Sequence, residues 1–121
     1  MSKNTYRDLK VWQKAMDLVI EVYRLTGSFP SAEMYGLTGQ MRRSAVSIPS
    51  NIAEGHGQGG GKSFSRYLFI AQGSLKELET QLLIAGRLGY ISPEALQPVL
   101  ANCDEIGKML TGLTRAIGAI N

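Results

Sequence analysis

The residues best placed to do chemistry lie in the glycine-rich stretch Gly55-His56-Gly57-Gln58-Gly59-Gly60-Gly61-Lys62-Ser63. Its end, Gly61-Lys62-Ser63, imitates a phosphate-binding loop, in which backbone N–H groups cradle phosphates and a lysine reaches the terminal one. That loop needs another glycine five residues before the glycine preceding the lysine, and His56 holds the position. It also needs a buried strand ahead of it, where this chain has a helical pattern. A connection between helices is the better reading than nucleotide hydrolysis. Lys62 and Arg66 keep a simpler role. At the start of a helix, free N–H groups and the dipole favour an anion such as a nucleic-acid phosphate, although a solvated helix end looks the same.

No other reactive set can be assembled. His56 is the single histidine and has no carboxylate or cysteine at triad spacing. Cys103, the single cysteine, falls on an apolar seam, which predicts a buried, inert thiol. Glu77 and Glu79 are two residues apart on a helix, so they point to different faces and can share neither a proton nor a metal. A di-iron bundle needs Glu-x-x-His pairs from facing helices, and structural zinc needs more cysteine and histidine than the chain has. The sequence therefore offers no catalytic residues, no metal ligands and no cofactor site.

Proline and glycine divide the 121 residues at 27–31, 55–61 and 89–93. Four segments remain, predicted as helices over about 7–27, 32–55, 62–88 and 93–119. In the third, Phe64, Leu68, Ala71, Leu75, Leu78, Leu82 and Ala85 follow steps of four and three. In the fourth, Val99, Cys103, Ile106, Leu110, Leu113, Ile117 and Ile120 do the same. Such a repeat keeps one seam against partners and predicts a single-domain all-α fold, an up-down-up-down antiparallel four-helix bundle of left-handed packing. Ser31, Ser63 or Gly61, and Ser92 ahead of Pro93 are the expected helix starts, and Gly27 and Gly89 the expected left-handed stops. The glycine-rich connection between the second and third helices is expected to be longer and mobile.

The first helix carries two apolar stripes, Leu9-Trp12-Met16-Val19-Tyr23 and Val11-Ala15-Leu18-Val22-Leu25, and the third has Phe69, Ile70, Leu83, Ile84 and Leu88 off its seam. One core needs one stripe, so the surplus points to self-association, a wide core being the plainer account. Composition is that of an ordinary globular chain, 44% hydrophobic and 19% charged. No window reaches 18 apolar residues and the first residues lack the pattern of a signal peptide, so a cytoplasmic protein without a membrane span is expected. The net charge of +3 is a mild basic excess.

The second helix is unusual. Leu37, Met41, Ala45, Ile48 and Ile52 form its apolar stripe, and Arg43, Ser47, Ser50 and Glu54 a polar one, with Asn51 beside it. Pro49 sits inside the register, where it removes a backbone hydrogen bond and predicts a kink. A shaped interface built from Arg43, Ser47, Pro49, Ser50, Asn51 and Glu54 is expected.

The run Arg42-Arg43-Ser44-Ala45-Val46-Ser47-Ile48-Pro49-Ser50-Asn51-Ile52-Ala53-Glu54-Gly55 resembles the hallmark of the bacterial four-helix bundle proteins encoded in 23S ribosomal RNA intervening sequences. Tyr6-Arg7-Asp8-Leu9-Lys10-Val11-Trp12 and Ala71-Gln72-Gly73-Ser74-Leu75-Lys76-Glu77-Leu78-Glu79-Thr80-Gln81 resemble the same family. The resemblance spans about residues 6 to 113. It implies a ring-shaped homopentamer, and kinship with the accessory protein of diversity-generating retroelements, a pentameric bundle that binds nucleic acid and partners a reverse transcriptase. The resulting expectation is a non-catalytic oligomer that contacts RNA or DNA phosphates, with a nucleic-acid-processing protein as a further partner. Arg42, Arg43, Lys62 and Arg66 are the first group of contacts, and Arg7, Lys10 and Lys14 the second. The rival is a protein-interaction scaffold in which Arg43 and Glu54 pair between subunits.

Overall fold

Steps of three and four place apolar side chains on one side of each segment, and burying those sides against one another forms the core. The computed structural model describes residues 5–120, the side chains of 119 and 120 excepted. Its helices are α1 (Lys10–Thr26), α2 (Leu37–Gly57), α3 (Gly61–Arg87) and α4 (Pro93–Ile120), with short 3-10 turns at Tyr6–Asp8 and Ser31–Glu33 and no strand among the described residues. α1 packs on α2, α2 on α3, α3 on α4 and α4 back on α1, so α1 and α3 lie on opposite sides of the bundle, as do α2 and α4.

Cross-helix pairs fix the directions. Ser47 meets Ser74 and Glu54 meets Tyr67, so α3 runs against α2. Gln72 reaches Gly107 and Thr111, and Leu96 covers Gly86, so α4 runs against α3. Lys14 meets Glu105 and Glu21 meets Asn102, which sets α1 against α4. The core takes Leu68, Ala71, Leu75, Leu78, Leu82 and Ala85 from α3 and Val99, Cys103, Ile106 and Leu110 from α4. From α1 it takes the stripe Val11, Ala15, Leu18 and Val22, and leaves Met16 and Tyr23 of the other stripe exposed. Each fully buried leucine or isoleucine contributes about 1.5–3 kcal/mol relative to exposure.

α1 starts at Lys10 rather than near residue 7, after the 3-10 turn Tyr6–Asp8, and the boundaries differ from expectation in three further places. α2 begins at Leu37 rather than near residue 32, because Ser31–Glu33 closes a 3-10 turn and Gly36 breaks the path. The Glu33 carboxylate, not Ser31, then accepts the Leu37 N–H at 3.2 Å. Gly27 ends α1 in a right-handed conformation at φ −61, whereas Gly89 takes the expected left-handed one at φ 80. The glycine-rich connection is short: helical turns extend into it from both sides and leave only residues 58–60, reversed through Gly59 at φ 81. Ser92 caps α4 as expected, its hydroxyl accepting the Ala95 N–H at 3.2 Å.

Candidate nucleic-acid interface

Of the expected interface residues of α2, Ser47 and Asn51 form a connected hydrogen-bond network with Ser74 at the border with α3. The Ser47 and Ser74 hydroxyls are 2.8 Å apart, and Asn51 Nδ2 donates to the Ser47 hydroxyl at 2.9 Å and to the Ser47 carbonyl at 2.8 Å. α2 runs unbroken through Pro49, which is buried. Proline cannot donate to the Ala45 carbonyl and its ring crowds that turn. Ser50 and Asn51 reinforce the same turn by donating to the Val46 and Ser47 carbonyls at 2.8 Å each. Glu54 accepts from the Tyr67 hydroxyl at 3.3 Å. Arg43 is exposed and lines a hollow of about 240 Å³ with Gln40, Ser44, Ser47, Ser74 and Glu77.

The seven basic candidates do not gather into one patch. Arg42 is spent inside the fold: its Nε donates to Thr26 Oγ1 at 2.9 Å and its guanidinium lies 4.5 Å from the centre of the Tyr23 ring. Lys14 pairs with Glu105 at 3.1 Å across the α1/α4 border. Arg43 stands toward the far end of α2. Arg7, Lys10, Lys62 and Arg66 are all exposed, and the antiparallel order brings them to the same end of the bundle, where the 58–60 turn lies. Arg115, near the end of α4, joins them. At that end, residues 6–10, 54–66 and 112–118 hold five basic side chains, Arg7, Lys10, Lys62, Arg66 and Arg115, against the acids Asp8 and Glu54. That local excess equals the net charge of +3 of the whole chain.

A cleft between α3 and α4 was not legible as a site. It encloses about 510 Å³ and is lined by Gln72, Lys76, Asp104, Lys108, Thr111 and Arg115, together with Cys103, Gly107 and Gly112. Gln72 spans it, donating to the Gly107 carbonyl at 3.2 Å and to Thr111 Oγ1 at 3.1 Å, while its Oε1 receives no hydrogen bond. Phe69, expected to serve association, is 78% exposed at the edge of an adjoining hollow that shares Gln72, Thr111 and Arg115. The available signal was spacing: Lys62, Arg66, Phe69, Gly73 and Lys76 follow steps of four, three, four and three, the outward counterpart of the buried α3 seam.

Burial pushes the Cys103 thiol up to about 12, with the carboxylates of Glu79 and Glu21 adding to the effect and Lys76 opposing it. Such a thiol is a poor nucleophile at neutral pH. Among the described residues no group of three or more His, Cys, Asp or Glu could hold a metal ion, and no helix is long and apolar enough to cross a membrane.

Comparison with known proteins follows the same lines. The pattern of a family described as 23S rRNA-intervening sequence protein matches residues 7–112. A solved structure similar to this fold is that of a protein with unknown function from the S23 ribosomal protein family, from Bacteroides thetaiotaomicron. It superposes with a TM-score of 0.80 at 24% sequence identity, covering 87% of this chain and 95% of that one. No curated protein matches the chain.

Proposed function

The chain belongs to the 23S rRNA-intervening sequence protein family, and we propose that it is a non-catalytic, self-assembling bundle that binds nucleic acid through phosphate contacts at its basic end. One observation carries this reading: five exposed cations gather at one end of the bundle, while most of the exposed large apolar side chains lie toward the other end, which Arg24, Arg43 and Arg87 share. Arg7, Lys10, Lys62, Arg66 and Arg115 stand at the 58–60 turn, while Ile20, Tyr23, Met34, Tyr35, Leu83, Ile84 and Leu88 are exposed toward the other end.

The apolar residues supply the assembly. Met16, Ile20 and Tyr23 mark the outer side of α1, and Leu83, Ile84 and Leu88 that of α3, on opposite flanks of the bundle. Two different surfaces on opposite flanks suit head-to-tail association, which closes into a ring when the rotation permits. A pentamer, as the sequence resemblance implies, fits such a closure. Repeating the basic end around a ring turns a modest charge into a phosphate-binding surface.

The test is binding of labelled RNA and DNA hairpins across a salt series, with sedimentation alongside. Expected are a particle of five times the 13.2 kDa chain mass and binding whose affinity falls steeply with salt. Lys62→Ala with Arg66→Ala should weaken binding and flatten the salt slope by about two. Assembly with no binding at low salt would leave the scaffold reading, which the exposed apolar flanks favour on their own.

A further inference from the structure

Two helical stripes meet at the α3/α4 border. Lys62, Arg66, Phe69, Gly73 and Lys76 are exposed along one face of α3, and Lys108, Gly112 and Arg115, at steps of four and three, along one face of α4. Lys76, Lys108 and Arg115 line the 510 Å³ cleft between them, and Phe69 stands at its edge beside Arg115. We propose that this cleft is a channel for single-stranded nucleic acid, with Phe69 as a base-stacking platform and Lys76, Lys108 and Arg115 as the phosphate contacts. The inference rests on the nucleic-acid reading above and gives it a place and a strand state.

Three features support it together. Phe69 holds a large aromatic ring 78% in water, at a hollow that it lines with Leu68, Gln72, Thr111, Thr114 and the cation Arg115. An aromatic face flanked by basic side chains is the usual platform for unpaired bases, since every base has a π-face and phosphates follow at fixed intervals. The cations are also available. Arg115 makes no ion pair among the described residues, and Lys108 pairs with Asp104 at 3.3 Å with both side chains more than two-thirds exposed. Lys76 pairs with Glu79 at 3.3 Å, with the lysine two-thirds exposed and the carboxylate largely covered. Pairs of this kind are weak and exchange readily for phosphate.

The glycines provide the third feature. Gly73 and Gly112 lie inside long helices, where glycine weakens the helix relative to alanine. Packing does not demand them, because a Cβ at either position would meet no atom within 4 Å. Their effect is to leave the surface bare between the basic residues, so that a backbone or ribose can approach closely. A duplex keeps its bases stacked inward and presents no face to Phe69. The channel therefore distinguishes single strands from duplexes, and it treats RNA and DNA alike because stacking and phosphate contact do not read the 2′-hydroxyl.

The experiment is fluorescence anisotropy of labelled single strands of about 16 nucleotides, the upper range of one such site, as RNA, as DNA and as the matching duplexes. Phe69→Ala is expected to weaken single-strand binding about tenfold, the loss of one stacked base, with duplex binding unchanged, and Phe69→Trp to restore it. Lys108→Ala with Arg115→Ala is expected to weaken binding and lower the salt slope. Sedimentation of each variant reports on assembly. Equal single-strand binding by wild type and Phe69→Ala overturns the proposal, as does a Phe69→Ala chain that no longer assembles. If those variants bind normally while Lys62→Ala with Arg66→Ala does not, this channel is wrong and the basic-end reading stands. If the wild type binds no nucleic acid at low salt, both fall.

Discussion

Tyr67 occupies the space in which any side chain on Gly55 would have to stand. A Cβ on Gly55 would lie 2.5 Å from Tyr67 Cβ and 3.1 Å from Phe64 Cδ1. Only glycine lets α2 and α3 approach this closely at the end of the polar network. Gly55→Ala should destabilise the bundle by about 1–3 kcal/mol, the usual range for overpacking, read from urea unfolding. Gly57, two residues on, meets nothing within 4 Å. Gly57→Ala should leave stability unchanged or raise it by up to about 1 kcal/mol. Equal effects at the two positions would contradict the close approach.

Arg42 serves the fold rather than a ligand. Its removal deletes the 2.9 Å bond to Thr26 and the contact over the Tyr23 ring. Arg42→Ala should cost about 1–2 kcal/mol of stability and change nucleic-acid affinity by less than about twofold, less than the loss of a phosphate contact. Chemical denaturation and anisotropy on one preparation check both halves.

Tyr90 gives the fold an alkaline limit. Its hydroxyl donates to Glu33 at 2.9 Å, and the bond to that carboxylate, followed by burial and the carboxylate's charge, raises the Tyr90 pKa above 10. The folded state thus holds the proton more tightly than the unfolded chain. The added stability is complete below pH 10 and is lost as pH climbs from there through the folded pKa. Tyr90→Phe should lose this part of the pH dependence, giving a flatter decline above pH 10 in thermal melts. Parallel curves for the two proteins would refute it.

The Cys103 thiol, raised to about 12 and fully buried, should resist alkylation. At pH 8 its modification in the native protein should be slower than in denaturant by more than about a hundredfold. Mass spectrometry after timed iodoacetamide treatment measures the ratio, and rapid native labelling would show that the α3/α4 border opens.

Periodicity alone located α3 and α4, because every seam residue from Leu68 to Ala85 and from Val99 to Leu110 is buried. It could not choose between the two stripes of α1, since which one faces inward depends on where α2 and α4 sit. The start of α2 differs because Ser31 looks like a cap by type, whereas the N-cap position falls on Gly36 and the Glu33 carboxylate serves both Leu37 and Tyr90. The basic candidates do not share one surface. Arg42 and Lys14 find partners that are distant in sequence, Thr26 and Glu105, and no local pattern announces them. The α3/α4 cleft escaped notice for the same reason: Phe69 and Arg115 are 46 positions apart and share a hollow only once the helices have packed.

The turn at residues 58–60 also sets the order of events in folding. With so few residues to close, α2 and α3 meet at little entropic cost. Their border then gathers contacts at short range in sequence, including Ser47 with Ser74 and Gly55 with Tyr67. The α1/α4 border, tied by Lys14 and Glu105, joins the two ends of the chain and must wait for the rest. An α2–α3 hairpin that forms early and outer helices that dock late make opposite kinetic signatures. Substitutions at Ser74 are expected to slow folding, and substitutions at Glu105 to speed unfolding, in stopped-flow kinetics.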